Sequence, residues 1–155
     1  MNVIDSFFYL RQKFHNWYQL QKVNQIGSCN VFGSVDIIYP KNLTIGDRCS
    51  INHGAYINAF CPIVLGEDVT ISSGAKIIST GIDYESWVSG IKRHINDGSI
   101  TINDHVWIGS GAQILAGVHI TGSYVVIAAG AVVTNDVNDS RCILAGCPAK
   151  IIKYF

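Results

Sequence analysis

Residues 100–133 read ITINDHVWIGSGAQILAGVHITGSYVVIAAGAVV, and one spacing runs through them. Ile102, Ile108, Ile114 and Ile120 stand six apart, and Ile127 and Val133 continue the step after one inserted residue. This is a turn-by-turn pattern, not that of a helix or an ordinary strand. The same step appears upstream at Ile45, Ile51 and Ile57 and again at Leu65, Ile71 and Ile77, with Ile26, Phe32 and Ile38 as a ragged first set. Small residues follow four places after many of these aliphatics, at Cys49, Ala55, Ala75, Ala112 and Ala131. A coil that turns one aliphatic inward every sixth residue, with a small residue at the corner, builds a prism whose flat faces are short parallel strands.

Composition agrees with one ordered domain. The 155 residues are 48% hydrophobic and only 14% charged, so the chain can bury a continuous core. Eleven basic residues balance eleven acidic ones with no long run of one sign, which gives nucleic acid no electrostatic footprint. No apolar stretch reaches the length of a membrane span or a secretory leader. Cys29, Cys49, Cys61, Cys142 and Cys147 form no CxxC pair and no metal spacing, and read as small reduced core or corner residues of a cytoplasmic protein.

The chain divides into an N-terminal amphipathic helix over 1–23, coils over 24–140 interrupted by a loop at 79–99, and a closing segment at 141–155. In the helix, Ile4, Phe7, Phe8, Phe14 and Tyr18 fall near helical spacing. Its expected role is packing on the end or side of the prism. The rival role is peripheral membrane contact, suggested by the aromatics with Arg11, Lys13 and Lys22. The loop breaks the six-residue step, and its Tyr84, Trp87 and charged groups mark it as functional, since long ordered excursions in compact domains usually are.

The segments VWIGSGAQILAGVHI (106–120), VIAAGAVVTND (126–136) and GCPAKII (146–152), in this order, resemble the hexapeptide-repeat acetyltransferases. The resemblance covers roughly residues 26–153. It implies an all-β, left-handed parallel β-helix, a homotrimer, and acetyl-CoA as co-substrate with no metal required. It also implies an active site between neighbouring protomers, where an acetyl group moves to a hydroxyl or amine. That chemistry needs a base for the acceptor proton and a backbone N–H for the oxyanion, and histidine suits the first task at neutral pH.

Five histidines are candidates. His15 lies in the helix, outside the resemblance, and reads as a polar face residue; His105 and His119 occupy turn positions and read as solvated corners. The galactoside and maltose branch of the family carries its base in a Gly-His pair where the loop begins, but the matching pair here is Gly81-Ile82, and isoleucine cannot accept a proton. The serine acetyltransferase branch carries one histidine in an Asp-His-Ala-like corner and another in an Arg-His pair on the loop. Asn52-His53-Gly54-Ala55 and Arg93-His94 match those places. By this resemblance His53 is the general base, with a hydrogen-bonded corner residue as the alternative. His94 orients the substrate or is itself catalytic, with a solvated loop residue as the alternative. Asp36 matches the carboxylate that would orient the base through Nδ1; the alternative is a solvated turn residue.

For acetyl-CoA, the resemblance implies Ser110 near the thioester, Ala129 and Thr134 along the pantetheine, and Lys150 and Lys153 at the phosphates. The usual Thr-Lys pair is Thr134-Asn135 here. Trp107 packs beside the pantetheine or caps a prism corner. A pocket of Asn52, His53, Asn58, Asp83 and Glu85 would suit a saccharide hydroxyl, in surface polysaccharide synthesis. An amino sugar or serine is the alternative acceptor, although a serine acetyltransferase would bring a large helical domain ahead of the coils. Two other classes remain. A zinc hydratase on the same fold needs a close pair of histidines that is lacking here. A non-catalytic trimeric scaffold has no need of the WIGSG and GCPAK segments. Fold alone does not separate these functions.

Overall fold

The structure is a computed structural model that describes residues 3–91, 94–95 and 97–155. Three parallel sheets form the faces of a prism. The first face stacks Gln25–Ile26, Leu43–Ile45, Ile63–Leu65, Ile100–Ile102 and His119–Ile120; the second runs from Cys29–Val31 through Cys49–Ile51, Thr70–Ile71, Val106–Ile108 and Val125–Ile127 to Cys142–Gly146. The third stacks Asp36–Ile38, Tyr56–Asn58, Lys76–Ile78, Gln113–Ile114 and Val132–Val133. Each coil pairs with the next at the ordinary interstrand spacing of about 4.8 Å.

The six-residue step becomes three columns of side chains along the axis. Ile45, Leu65, Ile102 and Ile120 are in register on the first face. Ile51, Ile71, Ile108 and Ile127 are in register on the second, and Ile57, Ile77, Ile114 and Val133 on the third. All are buried, as are the corner residues Cys49, Ala55, Ala75, Ala112 and Ala131. Each buried aliphatic contributes about 1.5–3 kcal/mol relative to exposure. β-Branched side chains suit these short strands because their restricted rotamers pack on a pleated face.

The first coil departs from the expected set. Ile26, Phe32 and Ile38 are exposed, whereas Val35 and Ile37 are buried, and Ile37 rather than Ile38 lies opposite Ile57. Ile26 does lie opposite Ile45, but Val31 rather than Phe32 lies opposite Ile51, so one step is a residue short and the phase moves after Ile26, because pairing to the second coil fixes which side chains face inward.

Helix α1 (Val3–Leu20) covers the open edge of that coil, with Leu20 packed against the core and amide side chains reaching the strand edge. Asn16 Nδ2 donates to the Gly33 carbonyl at 2.6 Å, and Asn16 Oδ1 accepts the Val35 N–H at 3.4 Å. Gln19 Oε1 accepts the Ile37 N–H at 2.6 Å. An unpaired strand edge presents backbone donors and acceptors that need partners, and these amides provide them. Ile4, Phe7, Phe8, Phe14 and Tyr18, expected to pack on the prism, are each half or more exposed. Among the described residues, no helix is long and apolar enough to cross a membrane.

At the far end, Cys142–Gly146 pairs antiparallel with Ala149–Tyr154, turning the last coil back on itself. The loop leaves from Ser79, whose buried hydroxyl accepts the Cys61 N–H at 3.0 Å and lies 2.7 Å from the Cys61 carbonyl. That bond holds the point of departure rigid. Beyond it a short helix α2 (Tyr84–Val88) is capped by Asp83, whose Oδ1 accepts the Ser86 N–H at 3.0 Å.

Candidate functional site

The prism has three edges, and the expected site residues fall on two of them. His53 projects from the edge between the second and third faces, in the turn Asn52-His53-Gly54. Its carbonyl accepts the Gly74 N–H, Ser73 accepts that of Gly111, and Ser110 accepts that of Gly130. His53, Ser73, Ser110 and Ala129 therefore form one column. The N–H groups of Ser110 and Ala129 have no partner among the described residues, and both residues are exposed. Such N–H groups are available to a carbonyl or an oxyanion. Gly33 tops the column at φ 83°, and a Cβ there would meet that of His53 at 2.6 Å, so only glycine lets the ring lie flat against the first coil.

The His53 ring is fixed by the Ser34 backbone N–H, which donates to Nδ1 at 3.2 Å. A backbone N–H can only donate, so Nδ1 carries the lone pair and the neutral ring carries its hydrogen on Nε2. In this arrangement the neutral His53 ring presents a hydrogen-bond donor at Nε2. Asp36 is placed differently from the expectation. It lies 3.7 Å from Nε2 of His15, and Nδ1 of His53 is already taken by Ser34. His15 was read as a polar face residue; the docking of α1 instead brings it to an open cleft of about 420 Å³ shared with Asp36 and His53. Its spacing from the coils carries no periodic signal, so no sequence pattern announces this.

His94 belongs to the other edge, between the third and first faces. It pairs with Ile82 in an isolated antiparallel bridge, its Nδ1 lies 3.3 Å from Thr80 Oγ1, and its ring packs on Phe60 with centroids 5.1 Å apart. A hydroxyl either donates or accepts, so this contact permits the tautomer with a free lone pair on Nε2. Arg93 lies outside the described residues. Asn58 ends a strand of the third face, with Nδ2 3.4 Å from the Tyr56 hydroxyl and Oδ1 buried without a partner among the described residues. Asn52 is committed to the backbone, donating to the Ile71 carbonyl at 3.0 Å. Asp83 caps α2, and Glu85 is exposed in its first turn.

The residues expected to meet acetyl-CoA are spread over both edges, the second face and the closing hairpin. Trp107 lies mid-strand on the second face, not at a corner; it is exposed and its indole N–H donates to Ser72 Oγ at 2.9 Å. Thr134 lies past the third face and donates to Asn135 Oδ1 at 2.8 Å. Lys150 lines a groove of about 260 Å³ with Asn135 and Asp136, and Lys153 lies opposite Ile143 on the closing hairpin. Of the remaining histidines, His105 is a true corner at φ 58°, but it pairs with Asp68 at 2.9 Å and stacks on Tyr124. His119 begins a strand rather than occupying a turn.

No protein-family model matches the chain. A hexapeptide-repeat acetyltransferase of Vibrio cholerae superposes with a TM-score of 0.79 at 27% identity, over 92% of this chain and 80% of that one. A maltose O-acetyltransferase of Clostridium difficile 630 superposes at 0.80 with 26% identity, over 90% and 74%. By sequence, the galactoside O-acetyltransferase of Escherichia coli (strain K12) is 32% identical over 117 residues, 74% of this chain and 55% of that protein. The chain thus spans little more than half the length of the curated relatives it matches. With its prism of six-residue steps wound as a left-handed parallel β-helix, the chain belongs to the hexapeptide-repeat acetyltransferase family.

Proposed function

We propose that the chain transfers the acetyl group of acetyl-CoA to a saccharide hydroxyl, with His94 as general base. The observation that carries this is the placement of His94 across from Ile82 with its Nδ1 on the Thr80 hydroxyl, a contact that permits a lone pair on Nε2 for the proton. The acceptor hydroxyl loses its proton to Nε2 as its oxygen attacks the thioester carbonyl. The tetrahedral oxyanion collapses, the C–S bond breaks, and the sulfur leaves as the thiol with the proton from His94. An exposed corner N–H such as that of Ser110 would meet the oxyanion. General-base catalysis of this kind is worth ~10²–10⁴ in rate.

The division of the site supports assembly as a homotrimer. The His53–Ser110 edge and the His94 edge flank the third face, and six or seven residues of extended chain between them span roughly 20 Å. Reacting atoms must come within about 3–3.5 Å. One edge of one copy must therefore meet the other edge of the next. Galactoside and maltose O-acetyltransferases among the similar proteins support a sugar acceptor, and the coenzyme A and acetyl-CoA complexes of two neighbours support the donor. In this reading Ser110 lies at the thioester end, Trp107, Ala129 and Thr134 line the pantetheine, and Lys150 and Lys153 meet the phosphates.

The same reading places the protein in the cytoplasm, in surface polysaccharide synthesis. The outer side of α1 supports contact with an anionic membrane surface that carries glycan intermediates. Lys13 lies over the Tyr9 ring and Lys22 over Tyr18, amid exposed aromatics. The deciding experiment is release of free CoA thiol by the whole protein across a panel of sugars, amino sugars and serine. Turnover with a sugar, lost at least 100-fold in His94→Ala, is the expected result; no turnover with any acceptor overturns the proposal.

A further inference from the structure

The cleft between α1 and the first coils is lined by Arg11, Gln12 and His15 from the helix and by Ser34, Asp36 and His53 from the coils. A count of its hydrogen-bonding groups gives an excess of donors. Arg11 contributes a guanidinium with no ion-pair partner among the described residues. His53 contributes Nε2–H, because the Ser34 N–H holds the lone pair of Nδ1. Gln12 adds an amide. The one carboxylate in the cleft, Asp36, lies 3.7 Å from Nε2 of His15, a nitrogen that accepts from the Gln19 amide, and Asp36 is outnumbered by the N–H groups of Arg11, Gln12 and His53. A cavity with convergent N–H donors and one unpaired guanidinium suits an oxyanion, for which Arg gives planar two-point recognition.

We propose that this cleft binds the carboxylate or phosphate of an acidic saccharide, so that the acceptor is a charged sugar rather than a neutral one. Its role in the acceptor rests on the acetyl-transfer reading; the existence of the oxyanion site does not. The cleft shares its prism edge with Ser110, which lies two coils from His53 in the same column. At about 4.8 Å per coil that separation is roughly 10 Å, a distance that a disaccharide unit spans. Helix α1 is thus a wall of the substrate site as well as the cover of the first coil, and the six-residue repeat by itself would not provide this wall.

The test is calorimetric titration of the whole protein, without acetyl-CoA, with glucuronate, glucose 6-phosphate and glucose. Either charged sugar should bind at least tenfold more tightly than glucose, and the tighter of the two identifies which oxyanion is preferred. Arg11→Ala should abolish the difference while Arg11→Lys retains part of it, and circular dichroism of both variants should match the wild type. Equal binding of all three sugars by the wild type, or a preference unchanged in a folded Arg11→Ala variant, overturns the proposal. Charged-sugar binding without any acetyl transfer would leave the site standing and remove only its place in the reaction.

Discussion

The backbone N–H of Ser34 donates to Nδ1 of His53 at 3.2 Å, and this one bond distinguishes its imidazole from that of His94. It makes the neutral His53 a donor at Nε2, while the Thr80 hydroxyl beside Nδ1 of His94 permits the tautomer with its lone pair on Nε2. His53→Ala should therefore act mainly on the acceptor, raising its KM about tenfold, the ~1–1.5 kcal/mol of a hydrogen bond, with a smaller change in kcat. His94→Ala should lower kcat about 100-fold or more and leave acetyl-CoA binding intact. Steady-state thiol release with varied acceptor checks both. The opposite pattern would return the base to the second–third edge.

The coils were legible because burial repeats. Every aliphatic of the steps beginning at Ile45, Leu65 and Ile102 sits where its spacing places it. In the first set Ile26 keeps its register with Ile45, whereas Phe32 and Ile38 fall one residue out of phase because pairing of Val31 to Ile51 and of Ile37 to Ile57 decides which residue turns in. The site was legible only in part. Residue types pointed to His53 and His94, but the division between two edges follows from the length of a face, which no motif records. His15 was illegible for another reason. It reaches Asp36 because Asn16 and Gln19 dock the helix, and polar docking leaves no periodic trace.

Those opposite fates of two isoleucines can be measured. Ile108 is fully buried, with Ile71 and Ile127 as its register partners, so Ile108→Ala should cost about 2–5 kcal/mol. Ile38 faces outward, and Ile38→Ala should change stability by about 0.5 kcal/mol. Urea unfolding of both variants gives the comparison, and similar losses would mean that the first coil is in the phase that the sequence suggested.

The cysteines should differ in reactivity. Burial, with Cys49 close by, pushes the Cys29 thiol up to about 12, and burial also raises Cys49 and Cys142. A thiol needs its thiolate form to react, so these three should stay inert at neutral pH. Cys61 is buried and out of reach, whereas Cys147 is exposed. A native-state thiol titration should find Cys147 alone reacting fast, with the others appearing on denaturation. Rapid modification of Cys49 or Cys142, located by peptide mapping, would contradict this packing.

Acid should loosen the first corner through Asp47. Its Oδ1 accepts the Ser28 N–H at 2.8 Å, and the Arg48 N–H donates to Ser28 Oγ at 2.8 Å, which ties the first coil to the second. The Ser28 backbone bond, then its hydroxyl, hold the Asp47 carboxyl below the usual carboxylate range, with a smaller contribution from Arg48. A folded-state pKa below the unfolded one means that the unfolded chain takes up the proton first. The stabilisation is therefore complete above the ordinary carboxylate range and is lost as pH falls through the depressed folded value. Asp47→Asn removes the titrating group. The variant should melt lower than wild type at neutral pH, and the gap should close as pH is lowered from about 7 to about 2. Melting curves across that range provide the measurement, and a gap that stays constant with pH would show that the Asp47 carboxylate is not what couples these two coils to acid.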